Sequence, residues 1–432
     1  LGSGTRALDL ETDLGLTRTL TNLDLNGDGI PDIPAFAVPL IAGVYSAPNI
    51  NPAVITTDSD FTEEIETYAI FTDLTWEFAD RWTLYGGFRY DVEQTKGTNE
   101  TLVRVISDLP STDPADYPAT FAPFIPVIAG INTLFVTDAQ RASAPFNEFE
   151  SDEFGGFLPK LGIGYDIDDD KSLSFSVQRG YRSGGVGINA AQASAFEFDQ
   201  EFIWNYELAF RSQWMEDALT LNANAFYVDW TDQQVRVQLS DNIFDTEVTN
   251  AGASSITGFE VEASYLATDT LDIYGSLGYA KTEFDEFLID VNSANAASLS
   301  NCTANAAGSG AAFTCDFAGN EFGLAPKWTL NAGATWQPTE NWIANINANH
   351  VSSAFIRGDR PQVSRDADER TLVNFRAGWQ NENFGIYLTG QNLFDDEYVI
   401  TQFPNDPLTG DTPNFAQFGE PRTFSLQLEA RF

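Results

Sequence analysis

The sequence predicts an all-β chain, a transmembrane antiparallel β-barrel, on three observations. Apolar side chains recur at every second position in about thirteen stretches. Those stretches are joined alternately by tight turns and long loops, and the positions between the apolar ones are polar on nearly every stretch. A strand turns successive side chains to opposite faces, so each stretch has an oily face and a wet one. Charges on the inner face of every strand would ruin the core of a water-soluble sandwich. They are unremarkable where the inner face meets water and the outer face meets lipid.

Composition bounds the alternatives. Asp and Glu number 63 against 22 Lys and Arg, a net charge of −41. Nucleic-acid binding needs clustered cations and is excluded as a partner class. Aromatic residues make up 13% of the chain, which suits many strands and interfacial girdles. No window reaches the roughly 18 to 20 unbroken apolar residues of a spanning helix. The nearest run, Ile125 to Val136, is short and is broken by Asn132 and Thr133.

Residues 1–60 carry no sustained period and read as a long external loop, with the barrel portion over 61–432. Within the loop, Asp24, Asn26, Asp28, Ile30 and Asp32 have the spacing that opens a calcium loop, with Gly29 at the sharp bend. Ala35 stands where the bidentate carboxylate would be, so an acidic surface turn is the rival reading. From Tyr68 the hairpins begin. Tyr68 to Phe78 and Trp82 to Tyr90 alternate about the turn Ala79-Asp80-Arg81. The same unit recurs at Leu161–Ile167 with Leu173–Val177, Trp204–Phe210 with Leu219–Ala225, and Phe259–Tyr265 with Leu271–Leu277. It recurs again at Trp328–Trp336 with Trp342–Ala348 and Val373–Trp379 with Phe384–Leu388, and Phe424–Phe432 closes the chain. The long connections cover about 92–151, 184–199, 239–252, 285–320, 356–369 and 396–418. Short turns at one end and long loops at the other are the pattern of an outer-membrane barrel. Trp76, Phe78, Trp82, Trp336 and Trp342 flank short turns, where an aromatic girdle would lie.

Cys302 and Cys315 lie in an aperiodic, small-residue stretch and are read as a loop disulfide formed in an oxidising compartment, against two free thiols. Closing so short a loop contributes about 3 kcal/mol on chain-entropy grounds.

Several of these stretches resemble the TonB-dependent outer-membrane receptors. The resemblance rests on Tyr68-Ala69-Ile70-Phe71, Trp82 to Tyr90, Leu158-Pro159-Lys160-Leu161-Gly162 and Arg179-Gly180-Tyr181-Arg182-Ser183-Gly184-Gly185. It extends to Thr257–Glu262, Asn392-Leu393-Phe394-Asp395-Asp396-Glu397-Tyr398 and the terminal strand. The resemblance implies about thirteen C-terminal strands of a 22-stranded barrel, with the plug domain absent from this stretch and the chain a fragment of a longer protein. It implies an outer-membrane location in a Gram-negative bacterium. It also implies energy-coupled import of a scarce ligand, most often a ferric siderophore, with the TonB-ExbB-ExbD complex as partner. Cobalamin, haem and glycans are the other ligands of such receptors, and a passive pore or adhesin shares the same barrel signal. Phe424, Leu426, Leu428 and Phe432 then match the signal for the barrel-assembly machinery.

For ligand contact the loop and rim candidates are Tyr181, Arg182, Arg236, Arg357, Arg360 and Arg365, with the aromatics Phe121, Phe124 and Phe355. Guanidinium groups suit an anionic chelate and aromatic faces suit catechol or sugar rings. The alternative role of each arginine is a partner to a nearby carboxylate. No enzyme is expected: His350 is the single histidine, and no phosphate-cradling glycine loop opens a helix. No cofactor is required, and Ca²⁺ in the external loop is the one metal the sequence suggests.

Overall fold

The computed structural model describes residues 2–8, 33–47, 50, 53–106, 108–141, 144–150, 153–189, 192, 194–240, 245–306, 308, 310–362, 365, 367–403 and 415–430. The strands are β1 (Gly2–Leu8), β2 (Ala53–Ala79), β3 (Trp82–Val105), β4 (Ala144–Glu150), β5 (Phe154–Asp168), β6 (Lys171–Arg182), β7 (Gly185–Asn189) and β8 (Ser194–Phe198). They continue with β9 (Glu201–Trp214), β10 (Leu219–Gln238), β11 (Thr246–Thr268), β12 (Leu271–Glu286), β13 (Leu288–Val291), β14 (Cys302–Ala304) and β15 (Phe313–Asp316). The last are β16 (Trp328–Thr339), β17 (Trp342–Val351), β18 (Arg370–Gln380), β19 (Phe384–Gln391), β20 (Val399–Phe403), β21 (Phe415–Phe418) and β22 (Thr423–Ala430). Two helices, α1 (Val38–Tyr45) and α2 (Ile125–Arg141), complete the regular elements used below.

The chain forms two compact units, one of Leu1–Glu66, Gln94–Asp152 and Val186–Phe196, the other of Thr67–Glu93, Glu153–Gly185 and Glu197–Phe432. In the second unit the neighbours run β2-β3-β5-β6-β9-β10-β11-β12-β16-β17-β18-β19-β22, and each neighbouring pair from β3 onward is antiparallel. These are the thirteen stretches read from the alternation. The order is an open path, with β19 as the single partner of β22 among the described residues.

The outer face of this sheet is apolar and uncovered: Ile70, Leu74, Leu161, Phe175, Leu208, Leu330, Ile346, Leu388, Leu426 and Leu428 are all exposed. Such a surface is stable only against hydrocarbon. Its height is set by aromatics. Trp328 and Trp336 stand eight residues apart on β16, each among other rings or beside a turn. At about 3.4 Å per residue that is roughly 27 Å of strand, and a tilt of about 40° leaves roughly 21 Å across the bilayer, near the usual band of about 25 Å. At the short-turn end Trp76 lies 5.8 Å from Phe78, Phe78 6.4 Å from Trp82, and Trp82 4.6 Å from Tyr165. At the other end Tyr279 packs 4.6 Å from Trp328 and 5.7 Å from Phe259.

The strands extend beyond the alternating stretches. The connection expected over 239–252 shrinks to the seven residues between Gln238 and Thr246, because β10 and β11 pair out to Gln238↔Thr246. Periodicity missed this extension because Asp232 takes a positive φ of 55° inside β10, where both strands skip a paired position. The expected loop 285–320 is instead a small sheet, β13-β15-β14, stapled by a disulfide between the directly opposed Cys302 and Cys315. It covers a conventional core of Val237, Phe284, Phe287, Ile289, Val291, Cys315 and Phe317.

The expected loop 1–60 also holds regular structure. Strand β1 pairs with Ala53–Ser59 of β2, and α1 packs on α2 in the first unit through Ile33, Val38, Ile41, Tyr45 and Ile131. Alternation did not reveal α1 because its eight residues give barely two turns of period. The Tyr45 hydroxyl donates to Asn132 Oδ1 at 2.8 Å, and Asn132 Nδ2 donates to the Pro110 carbonyl at 2.8 Å. Desolvation pushes the Tyr45 phenol well above its usual range, with Tyr117 adding to the effect. The run Ala119–Thr137 is long and apolar enough to cross a membrane by length and composition. Within it Ile128 and Ile131 are buried, and Ile131 joins the two-helix core.

The Asn392-to-Tyr398 motif has a mechanical role. Asn392 adopts a positive φ of 46° and is buried at the end of β19. Its Nδ2 donates to the carbonyls of Asp396 at 2.9 Å and Glu420 at 3.1 Å, and its Oδ1 accepts from the Asp396 N–H. One side chain thereby ties the exit of β19 to the entry of β22.

Candidate functional site

Arg357, Arg360, Arg365 and Phe355 all lie on the connection between β17 and β18, and the structure gathers them with residues from two other connections. Arg357 Nη2 lies 2.6 Å from Asp359 Oδ2, and Arg360 Nη1 lies 2.9 Å from the same oxygen. Arg357 Nη1 also reaches Gln238 Oε1 at the end of β10, at 3.4 Å. Burial pushes the Asp359 carboxyl up, and the two guanidinium groups more than offset this and hold it below its ordinary value.

Beside this, Glu321 accepts from Arg365 Nη2 at 2.6 Å and lies 2.8 Å from Lys327 Nζ. Desolvation opposes ionisation of Glu321, and its bonds to Arg365 and Lys327 prevail, so its pKa is lowered. The Arg365 guanidinium also rests 4.3 Å over the Phe355 ring. The backbone is held by amides: Asn320 Nδ2 donates to the carbonyls of Gly358 and Arg360, and Gln362 Nε2 to those of Glu321 and Arg357. Lys327 and Arg365 therefore share one carboxylate and present an aromatic face beside them.

Arg182 is placed elsewhere on the rim, 2.9 Å from Glu201. Glu201 also accepts from the Gln234 N–H, and Gln234 Nε2 donates to the Ser183 carbonyl at 2.8 Å. The Tyr181 ring is 6.2 Å from Phe202, which also carries the Arg179 guanidinium at 3.9 Å. Arg236 donates to Thr246 Oγ1 at 3.0 Å and sits two residues from both Gln234 and Gln238. Phe121 and Phe124 belong to the first unit, 5.7 Å apart, with Tyr117 stacked 5.5 Å from Phe121 and Phe36 6.3 Å from Phe124.

Four of the arginines thus have carboxylate partners, the alternative role weighed for them, and Arg365 and Phe355 form one surface. Sequence reasoning missed Glu321 and Lys327 on the connection between β15 and β16, Asp359 on that between β17 and β18, and Gln238 at the end of β10. Asp359 stands between Arg357 and Arg360 in the chain, which was the available signal for that pair. The calcium residues Asp24, Asn26, Asp28, Ile30 and Asp32 lie outside the described residues, as does Phe432. No cluster of three potential metal ligands occurs among the described residues. His350 hydrogen-bonds Thr371 through Nδ1 at 2.9 Å on β17. Phe424, Leu426 and Leu428 share the exposed outer face of β22.

The TonB dependent receptor-like beta-barrel family model matches residues 4–393. The pesticin receptor of Yersinia pestis is 25% identical over 201 residues, covering 46% of this chain and 24% of that receptor. The crystal structure of the ferric yersiniabactin uptake receptor FyuA from Yersinia pestis superposes with a TM-score of 0.61 at 19% identity, over 88% of this chain and 50% of that one. The unliganded ferric citrate transporter FecA superposes with a TM-score of 0.53 at 16% identity, over 88% of this chain and 58% of that one. The chain therefore spans about a quarter of the curated relative and about half of these solved receptors.

Proposed function

The chain belongs to the TonB-dependent receptor family of the Gram-negative outer membrane, and on that premise we propose that it serves the capture and energy-coupled import of an anionic ferric siderophore. The observation that carries the reading is the shared Glu321 carboxylate. Lys327 and Arg365 bring two positive charges to one negative, and Phe355 supplies a ring against the Arg365 guanidinium. In a chain of net charge −41, a local cationic and aromatic surface among the external connections selects for an anion with aromatic donors. The ferric-chelate receptors named above are relatives in fold and support the ligand class. Import by this chain would draw on the TonB complex, and folding of its β22 on the assembly machinery that reads the terminal strand.

The test uses cells carrying the full-length gene and a labelled ferric catecholate. Arg365→Gln with Lys327→Gln should weaken surface binding by at least about tenfold, the equivalent of 1.4 kcal/mol. Equal uptake by cells with and without the gene would sink the ferric-chelate reading and leave glycan, haem or cobalamin import, or a passive pore, as the alternatives.

A further inference from the structure

The disulfide sheet and the Glu321 surface lie on one stretch of chain. Asp316 to Asn320 are all that stand between Cys315 and Glu321. The chain leaves β15 at Asp316 and forms no further strand or helix until β16 begins at Trp328. Irregular backbone in a connection is ordinarily its loosest part. Here every backbone N–H from Asp316 to Phe322 has a partner. Asp316 donates to the Asn301 carbonyl at 2.8 Å, Phe317 to the Phe287 carbonyl at 2.8 Å, and Ala318 to Asp316 Oδ1 at 2.9 Å. Gly319 donates to the Phe284 carbonyl at 2.7 Å and Asn320 to the Phe317 carbonyl at 3.1 Å. Glu321 then donates to Gln362 Oε1 at 2.9 Å and Phe322 to Thr282 Oγ1 at 3.0 Å.

The two ends of this segment are held by different means. At one end Cys315 is buried and bonded to the directly opposed Cys302, and Phe317 is buried in the apolar core of the loop sheet. At the other end Asn320 carries the connection between β17 and β18. Its carbonyl accepts from the Phe284 N–H at 2.9 Å, while its Nδ2 donates to the carbonyls of Gly358 at 2.7 Å and Arg360 at 2.8 Å. Gln362 closes on the next peptide, donating to the Glu321 carbonyl at 2.7 Å. The Phe284 ring, 4.6 Å from Phe287 in the same core, lies directly under Gly358, where a Cβ would come within 2.5 Å of it. The backbone flanked by Phe355 and Arg365 therefore rests on the core that the disulfide staples.

We propose that the Cys302–Cys315 disulfide and Asn320 are positioning groups for the Glu321 surface, so that the redox state of the loop sheet sets the affinity of that surface. Neither touches the ligand. They act by holding the Glu321 peptide and the Gly358 and Arg360 carbonyls in one register, which fixes where Arg365 and Lys327 meet their shared carboxylate. A dithiol reductant would exchange with the disulfide, two electrons and two protons passing to the protein sulfurs while the reagent closes to its own cyclic disulfide. The freed sheet would then release the segment from Asp316 to Phe322 and the carbonyls it carries. The effect on affinity rests on the functional reading above; the effect on the backbone does not.

The test uses the full-length receptor in detergent, reduced with dithiothreitol that is removed anaerobically before any ligand is added. Reduction, or Cys302→Ala with Cys315→Ala, should speed amide exchange of 316–322 and 355–362 at least about tenfold, with the amides of β16 to β18 unmoved. Asn320→Leu removes both donations at similar volume, and Gly358→Ala wedges the connection off the Phe284 ring. Each should speed exchange of 355–362 with the disulfide intact. All four changes should weaken binding of a gallium catecholate, whose metal a thiol does not reduce, by about fivefold or more. Dithiothreitol should change nothing further in the double alanine variant. Heat-modifiable gel mobility verifies that each protein is folded. Equal exchange of 355–362 in the oxidised and reduced protein overturns the positioning role, and so does an affinity that stays constant while that exchange rises. If the oxidised wild type binds no catecholate, the functional reading falls, and the exchange measurement still decides whether the disulfide holds this backbone.

Discussion

Phe287 and Phe424 are the same residue under opposite rules. Phe287 is 0% exposed, packed 4.6 Å from Phe284 and 6.0 Å from Phe317 in the disulfide-stapled loop sheet. Phe424 is 61% exposed on the outer face of β22. The loop sheet hides its apolar groups from water as any small domain does. The strand band turns its apolar groups outward and its asparagines inward, and it is coherent only when hydrocarbon is the outer solvent. Exposure therefore has no single meaning along this chain.

The largest expected effect separates the two regions by one substitution. Phe287→Ala should cost the loop sheet about 3–5 kcal/mol through lost contacts and a cavity. It should show as rapid proteolysis within 285–320 while the strands keep their heat-modifiable mobility. Phe424→Ala, with lipid able to fill the space, should cost less than half as much by urea titration in vesicles. Similar costs at the two sites would break the distinction.

A second contrast uses charge. Leu426→Arg places a cation on the lipid face and should cost roughly 2–4 kcal/mol in the same titration. Thr423→Arg, on the opposite face of β22, should cost under about 1 kcal/mol. Equal penalties would mean that β22 does not have one lipid face.

The smallest effect is one of pH and belongs to the loop region alone. The Asp359 and Glu321 carboxyls sit below their ordinary values of 3.8 and 4.5 when folded. Their ion pairs therefore contribute fully above those values, and the contribution is lost as pH falls through the lowered folded ones. Hydrogen exchange of residues 352–362 should rise below about pH 4 and remain flat from pH 5 to 8, with the strand amides unmoved. Loosening that begins near neutral pH would assign the latch to other groups.

Much of this was readable in advance. Alternation located all thirteen membrane strands because a period of two survives wherever one face must be apolar. The turn at Ala79 to Arg81 and the pairing potential of Cys302 with Cys315 were equally local. The first unit was not readable in the same way: α1 is too short for its period to register, and β1 pairs with residues about fifty positions away. The site was half readable. Arg357, Arg360, Arg365 and Phe355 lie together in sequence, while Glu321, Lys327 and Gln238 reach them only through the fold.

The sequence by itself determined that this is a strand chain with two faces, which face is apolar and where the strands reverse. Those are consequences of backbone geometry and solvent, and both act on neighbouring residues. The tertiary structure alone decided which charges meet: that Glu321 is shared by Lys327 and Arg365, and that Arg357 reaches Gln238 at the end of β10. Coulomb and hydrogen-bond energies fall off over a few ångströms, and only pairing register brings side chains from distant connections within that range.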